Sequence, residues 1–212
     1  MRESIKVFAP ATVANVGCGY DVLGFALEGY GDELILTRRP DDRLVIASIE
    51  GVQGLPLDPL KNVSTAAINA LLTDLDLKQG FDLRIKKNIA AGSGLGSSAS
   101  SAAAAVYAAN EILGRPKSQL ELINYAMAGE KLASTKAHAD NVAPSILGGF
   151  TAVRSYEPLD VFNISYPESL KVVVIFPQIE IKTSDAKKML RDEVKLTDAV
   201  KQWGNMAGLI SG

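Results

Sequence analysis

The chain has 212 residues, 47% apolar and 22% charged, with a formal net charge of −2 at pH 7. That is enough length and apolar surface for one large globular domain or two small ones. No basic block supplies the field that a nucleic acid or an anionic membrane requires, so neither is an expected partner; Lys86-Lys87 and Arg38-Arg39 read as solvated strand ends.

The N-terminal stretch MRESIKVF carries no apolar signal region, and no run along the chain approaches membrane-spanning length, so a cytoplasmic protein is expected. Residues 5–8 form a short strand running into the turn-rich Ala9-Pro10-Ala11-Thr12-Val13-Ala14-Asn15-Val16-Gly17-Cys18-Gly19-Tyr20-Asp21. Cys18 is the single cysteine, which excludes an internal disulfide and a cysteine-rich zinc site. It has no base paired with it and reads as a small residue in a loop. Strands are predicted at 33–37 and 44–49, separated by Pro40-Asp41-Asp42. Val63, Ala66, Ala67, Ala70 and Leu71 recur at helical spacing, giving a helix that ends near Leu75. Phe81, Leu83 and Ile85 alternate with polar residues as in a half-buried strand. After the glycine-rich run 92–98, a helix over 99–113 stops at Gly114 and Pro116. Ser118 and Glu121 have capping-box spacing and open a helix to about Ala133. A short helix over 141–147, strands at 150–154, 161–165 and 172–176, and helices at 184–191 and 197–209 complete the chain. Strict β–α alternation is absent, which favours an α+β layer fold.

The strongest chemical signal is the strand, glycine loop and alanine-rich helix over 81–109. Gly92, Gly94 and Gly96 let the backbone turn tightly and bring N–H groups close to a ligand. The helix adds its unpaired first-turn N–H groups and partial positive charge, and Ser93, Ser97 and Ser98 add hydroxyls, an arrangement that suits a polyphosphate. A Walker A loop would need a lysine after Gly96. The Rossmann pattern matches formally at 94–99, but a second helix follows where that fold needs a strand ending in an acidic residue.

Glu130 lies near the end of the helix opened by Ser118, where a carboxylate beside a triphosphate could hold Mg2+ with the Ser98 hydroxyl. The sole histidine falls in His138-Ala139-Asp140-Asn141, which leaves substrate binding, proton handling or capping of the next helix open. Asn15 and Asp21 flank Gly17 and Gly19, where an amide and a carboxylate could recognise an ammonium or hydroxyl group.

Together these segments resemble the GHMP kinases, and within that superfamily the homoserine kinases. The resemblance rests on the run 9–21, the loop 92–98 and the stretch from His138 to Pro144 before Gly148-Gly149. It implies a two-layer N-terminal domain of ribosomal-protein-like α/β fold over residues 1–165. A truncated ferredoxin-like half would begin at 166–212. It further implies phosphorylation of the L-homoserine side-chain hydroxyl by ATP in threonine biosynthesis, in a homodimer. Gly92, Ser93, Gly94, Leu95, Gly96, Ser97 and Ser98 would wrap the ATP phosphates, with Asn62 and Val63 near the nucleoside. Ser98 and Glu130 would hold Mg2+. Asn15, Asp21, His138, Asp140 and Asn141 would surround homoserine, with His138, Asp140 and Asn141 at the reacting hydroxyl and Thr183 near the substrate's far end. Lys187 stands where an arginine for the substrate carboxylate is expected, which keeps charge but loses a bidentate fork. Ala90 stands where a proline usually precedes the loop. The alternatives are a mevalonate-type kinase and a noncatalytic nucleotide-binding fragment.

Overall fold

Alternation of side chains along one long strand organises the sheet. In β2 (Leu23–Arg39), Leu34 and Leu36 point inward and are buried, while Ile35 between them faces out. The computed structural model, which describes residues 2–132, 138–175 and 193–211, places β1 (Ser4–Ala14) antiparallel to β2 from Ser4↔Thr37 to Ala14↔Gly24, with Leu27–Tyr30 left unpaired where the register shifts. The two halves of β2 then take different further partners. Its C-terminal half pairs with β4 (Gly80–Lys86), and Leu23–Phe25 pairs with β5 (Phe150–Tyr156). β6 (Leu159–Ile164) extends the sheet beyond β5. β3 (Leu44–Glu50) is parallel to β4, as its crossover through α1 (Val63–Asp74) requires.

Four helices cover the inner face of the sheet: α1, α2 (Ser97–Ile112), α3 (Gln119–Glu130) and α4 (Ala139–Leu147). The core joins Leu34, Leu36, Phe81, Leu83 and Ile85 of the sheet to Ile68, Leu71, Val106, Leu122, Ile123 and Val142 of the helices. α2 lies in the middle, and its buried Ala99, Ala102, Ala103, Ala104, Ala105, Ala108 and Ala109 let α1, α3 and the sheet approach its backbone. Ser118 caps α3 as expected: Glu121 N–H donates to Ser118 Oγ at 3.3 Å, and Ser118 N–H donates to Glu121 Oε2 at 2.8 Å. α5 (Leu196–Ser211) buries none of its residues.

Several sequence expectations change. The strand expected at 5–8 continues through the run read as a turn, because Ala9 and Ala11 pack inward and Pro10, which lacks an N–H, sits opposite Gly31 where the register shifts. The strand expected at 33–37 is one part of β2. Of the strand expected at 172–176, residues 172–175 are described and are not in a strand; Val173 and Ile175 are exposed, and no described strand lies beside them to supply a ladder. Phe176 and the helix expected at 184–191 lie outside the described residues. Arg38 and Arg39 are not simple solvated ends. Arg38 donates to the Ile112 carbonyl at the C-terminus of α2 at 2.9 Å, and Arg39 pairs with Asp41 and Asp82, both at 2.7 Å. Asp41 is held well below the usual carboxylate range by hydrogen bonds from Arg39 and Arg43.

A tight helix–helix contact bears on the site. A Cβ on Gly129 of α3 would lie 2.5 Å from the Val63 carbonyl oxygen and within 3.3 Å of Ala67 and Ala102. Glycine in a helix interior ordinarily costs about 0.5–1 kcal/mol relative to alanine. Here the sign reverses, because the extra methyl must push α3 away from α1. Gly129→Ala is expected to lower the stability measured by denaturant unfolding by about 1–3 kcal/mol, instead of raising it.

Candidate active site

β4 ends at Lys86, and the chain then crosses to the N-terminus of α2 through the glycine loop. Gly92, Gly94 and Gly96 have φ of 74°, 75° and 64°, in the left-handed region that L side chains rarely adopt. Gly96 is constrained twice, since a Cβ there would lie 2.1 Å from Thr12 Oγ1 and 2.9 Å from Asn141 Oδ1. The loop is fastened where it meets the helix. Thr12 N–H donates to the Leu95 carbonyl at 3.1 Å, and Ser97 Oγ donates to the Ile89 carbonyl at 3.0 Å. The Leu95 side chain packs with Ala11, Leu27 and Ile89 instead of lining the cavity beside the loop.

That cavity, of about 520 Å³, gathers most of the residues singled out from the sequence. Gly92, Ser93, Gly94, Gly96, Ser97 and Ser98 form one wall, with Asn62 and Val63 at the start of α1 beside them. Asn62 caps that helix, accepting from Ser64 N–H at 2.9 Å. Glu130, at the end of α3, accepts from Ser98 Oγ at 3.0 Å. Burial pushes the Glu130 carboxyl up to about 7, opposed by the Ser98 hydrogen bond and the Lys87 charge. Two oxygens of this kind facing a phosphate loop suit Mg2+, which takes oxygen ligands and completes its shell with phosphate and water. Among the described residues no group of three acidic, histidine or cysteine side chains forms an all-protein metal cage.

Asn15, Asp21, His138, Asp140 and Asn141 line the same cavity. Asn15 and Asp21 both have positive φ, 57° and 56°, and the Asn15 side chain accepts from Asp21 N–H at 2.9 Å. Strained backbone of this kind clusters at ligand sites. His138 Nδ1 stands 3.4 Å from Asp21 Oδ2. Capping of α4 by Asp140 or Asn141 is not what the structure shows: His138 occupies the cap position without a side-chain bond, and the other two lie in the first turn. Asp140 is buried, and Asn141 Oδ1 accepts from Thr12 Oγ1 at 2.8 Å. Thr183 and Lys187 lie outside the described residues.

Two residues went unrecognised in the sequence. Lys87, read as a solvated strand end, is 3% exposed and lines the cavity. Its signal was the alternation of β4 itself, since Phe81, Leu83 and Ile85 put position 87 on the inner side. Tyr156 donates from its hydroxyl to the Asp21 carbonyl at 3.1 Å and accepts from Ala139 N–H at 3.3 Å, joining the loop of Asp21 to the start of α4. Burial pushes its phenol up to about 12. No local pattern marks that role.

The fold and this site define a GHMP kinase: the GHMP kinases N terminal domain family matches residues 62–149. Homoserine kinase of Chlorobium phaeobacteroides is 47% identical over 99% of this chain and 69% of its own length. That of Methanococcus maripaludis is 38% identical over 98% of this chain and 68% of its own. The crystal structure of homoserine kinase from Cytophaga hutchinsonii superposes with a TM-score of 0.94 at 48% identity, covering all of this chain and 68% of that one. A mevalonate kinase from Methanococcus jannaschii shares the fold at a TM-score of 0.60 and 19% identity. The chain belongs to the homoserine kinase family.

The raised Glu130 carboxyl has a defined pH consequence. Its folded value lies above its ordinary 4.5, so the folded state binds the extra proton, and stability from this group falls as pH rises from about 4.5 to 7. Glu130→Gln removes that penalty. It is expected to stabilise the ligand-free protein by about 1–3 kcal/mol at pH 8 and by much less at pH 5. The same variant should lose metal-dependent nucleotide binding, measured by calorimetry with and without a divalent cation.

Proposed function

We propose that the chain is an ATP-dependent kinase that phosphorylates the side-chain hydroxyl of L-homoserine, giving O-phospho-L-homoserine and ADP, the step that serves threonine biosynthesis. The observation that carries this reading is one cavity bounded by the glycine loop on one side and by Asn15, Asp21, His138, Asp140 and Asn141 on the other. Phosphoryl donor and small polar acceptor can meet there. The relatives named homoserine kinase supply the acceptor's identity. In this reading residues 1–165 are the nucleotide-binding domain and 166–212 the start of a ferredoxin-like half. Thr183 and Lys187 would meet the far end of the substrate. A cytoplasmic homodimer belongs to the same reading and rests on the family resemblance alone.

The chemistry is an in-line transfer. The homoserine hydroxyl oxygen forms a bond to the γ-phosphorus, the bond from that phosphorus to the β,γ-bridging oxygen breaks, and ADP leaves with the electron pair. Loop N–H groups and the N-terminus of α2 face the charge that spreads over the transferring phosphoryl. Mg2+, held by Ser98 and Glu130, would neutralise phosphate charge. Asn62 and Val63 lie where the nucleoside would extend. On the acceptor side, Asn15, Asp21 and His138 take the polar groups of homoserine, and Asn141, tied to Thr12, orients the hydroxyl. Positioning supplies much of the rate. Asp140 is the buried carboxylate placed to receive the hydroxyl proton, with His138 the other group able to hold it.

A noncatalytic nucleotide-binding role is the second reading, because the glycine loop with its positive-φ glycines could bind a nucleotide whether or not a phosphoryl is then transferred. Coupled ADP release with ATP, Mg2+ and homoserine, beside mevalonate and no acceptor, separates the two. Homoserine-dependent release is expected. Nucleotide binding without release would establish the second reading, and release with mevalonate in place of homoserine would overturn the acceptor. Asp140→Ala is expected to lower kcat by about 10²–10⁴-fold if this carboxylate takes the proton; near-normal turnover would remove it from that role.

A further inference from the structure

The buried charges nearest the phosphate loop are not on the loop. Asp32 of β2 and Lys87 after β4 are 1% and 3% exposed and form an ion pair. Their positions follow from strand alternation: Asp32 continues the inward row of Leu34 and Leu36, and Lys87 continues that of Phe81, Leu83 and Ile85. Each polar atom of the pair is committed. Asp32 Oδ1 accepts from Asn88 N–H at 2.8 Å and from Ile89 N–H at 3.0 Å, while Oδ2 accepts from Lys87 Nζ. Lys87 Nζ also donates to the Ser97 carbonyl at 2.7 Å and to Ser101 Oγ at 2.8 Å. An ammonium has three donors, and these three acceptors use them all.

That accounting decides what the pair is for. With its donors spent inside the protein, Lys87 has none left for a nucleotide phosphate, although it borders the cavity. A buried ion pair is also a weak source of stability, since apolar residues of similar volume often serve as well or better. The bonds made by this pair fall at both ends of one segment. Asp32 fixes residues 87–89, where the chain leaves β4, and Lys87 fixes Ser97 and Ser101 in the first two turns of α2. Between them lie residues 90–96, whose three glycines with positive φ impose little order of their own.

From this geometry we infer that Asp32 is a positioning residue for the phosphate loop, acting through Lys87 and the Asn88 and Ile89 N–H groups to hold the loop ready for a nucleoside triphosphate. The inference rests on the nucleotide-binding part of the proposed function and not on the identity of the acceptor. Fixing both ends of a glycine loop removes conformations that the nucleotide would otherwise have to select against, so the pair acts on affinity through preorganisation.

The experiment measures binding of a non-hydrolysable ATP analogue with Mg2+ and hydrogen exchange of the amides in residues 88–96. Both are read in the wild-type chain, Asp32→Asn and the charge-neutral double variant Asp32→Asn/Lys87→Met. In Asp32→Asn the analogue is expected to bind about tenfold or more weakly. Were Lys87 simply a cation for the phosphates, freeing it from Asp32 would tighten binding instead, and that outcome overturns the inference. Should Asp32→Asn fail to fold around an unpaired ammonium, the double variant carries the test. Its 88–96 amides are expected to exchange about tenfold faster or more, with α1 and α3 unchanged. Unaltered exchange in that segment overturns the inference. Neither readout needs turnover, so an inactive wild-type chain would count against the homoserine reading while leaving this result intact.

Discussion

Close packing around α2 is the constraint on which the rest of the structure depends. A helix surrounded by three other helices and a sheet can sit that deep only if its side chains are small, and seven buried alanines meet that requirement. The depth brings the N-terminus of α2 to the backbone of β1, where Gly96 has no room for a side chain beside Thr12. It also brings α3 close enough, at Gly129, for Glu130 to reach Ser98. The phosphate-facing loop and the carboxylate beside it are thus two consequences of one packing decision.

The second feature of the molecule is the charge it keeps out of water. Asp32, Lys87 and Asp140 are buried and Glu130 nearly so, all close to the glycine loop. Their desolvation is tolerated because each is hydrogen-bonded or set opposite another charge. Such an arrangement suits a site that receives a triphosphate. The low dielectric that makes these groups costly also strengthens their action on charge that moves during the reaction.

The opposite wall of the cavity is built differently. Asn15 and Asp21 occupy left-handed backbone in a loop, His138 faces Asp21 from the start of α4, and Tyr156 joins the two segments from the far end of β5. Three elements that are distant in sequence must therefore be in place together before this side of the cavity is complete. The glycine loop on the other side of the cavity differs, since residues 92–98 are continuous in the chain.

The sequence by itself determined the elements with strong local signals. The helix over 63–74, the capped start of α3, the loop 92–98 and the alternation of β4 were all legible because they rest on periodicity, caps and glycine spacing, which act between near neighbours. It also marked Asn15, Asp21, Ser98, Glu130 and His138 as candidates, through their place in recognisable motifs. Only the tertiary structure decided the length of β1 and β2, since a strand through Ala9-Pro10-Ala11 is held by its partner across the ladder and not by its own propensity. Likewise Lys87 and Asp32 could be placed on inner faces by alternation, but their pairing joins residues 55 apart. Tyr156 reaches Asp21 across 135. Contacts of that range are set by how the layers close on one another, and that closure is a property of the whole core.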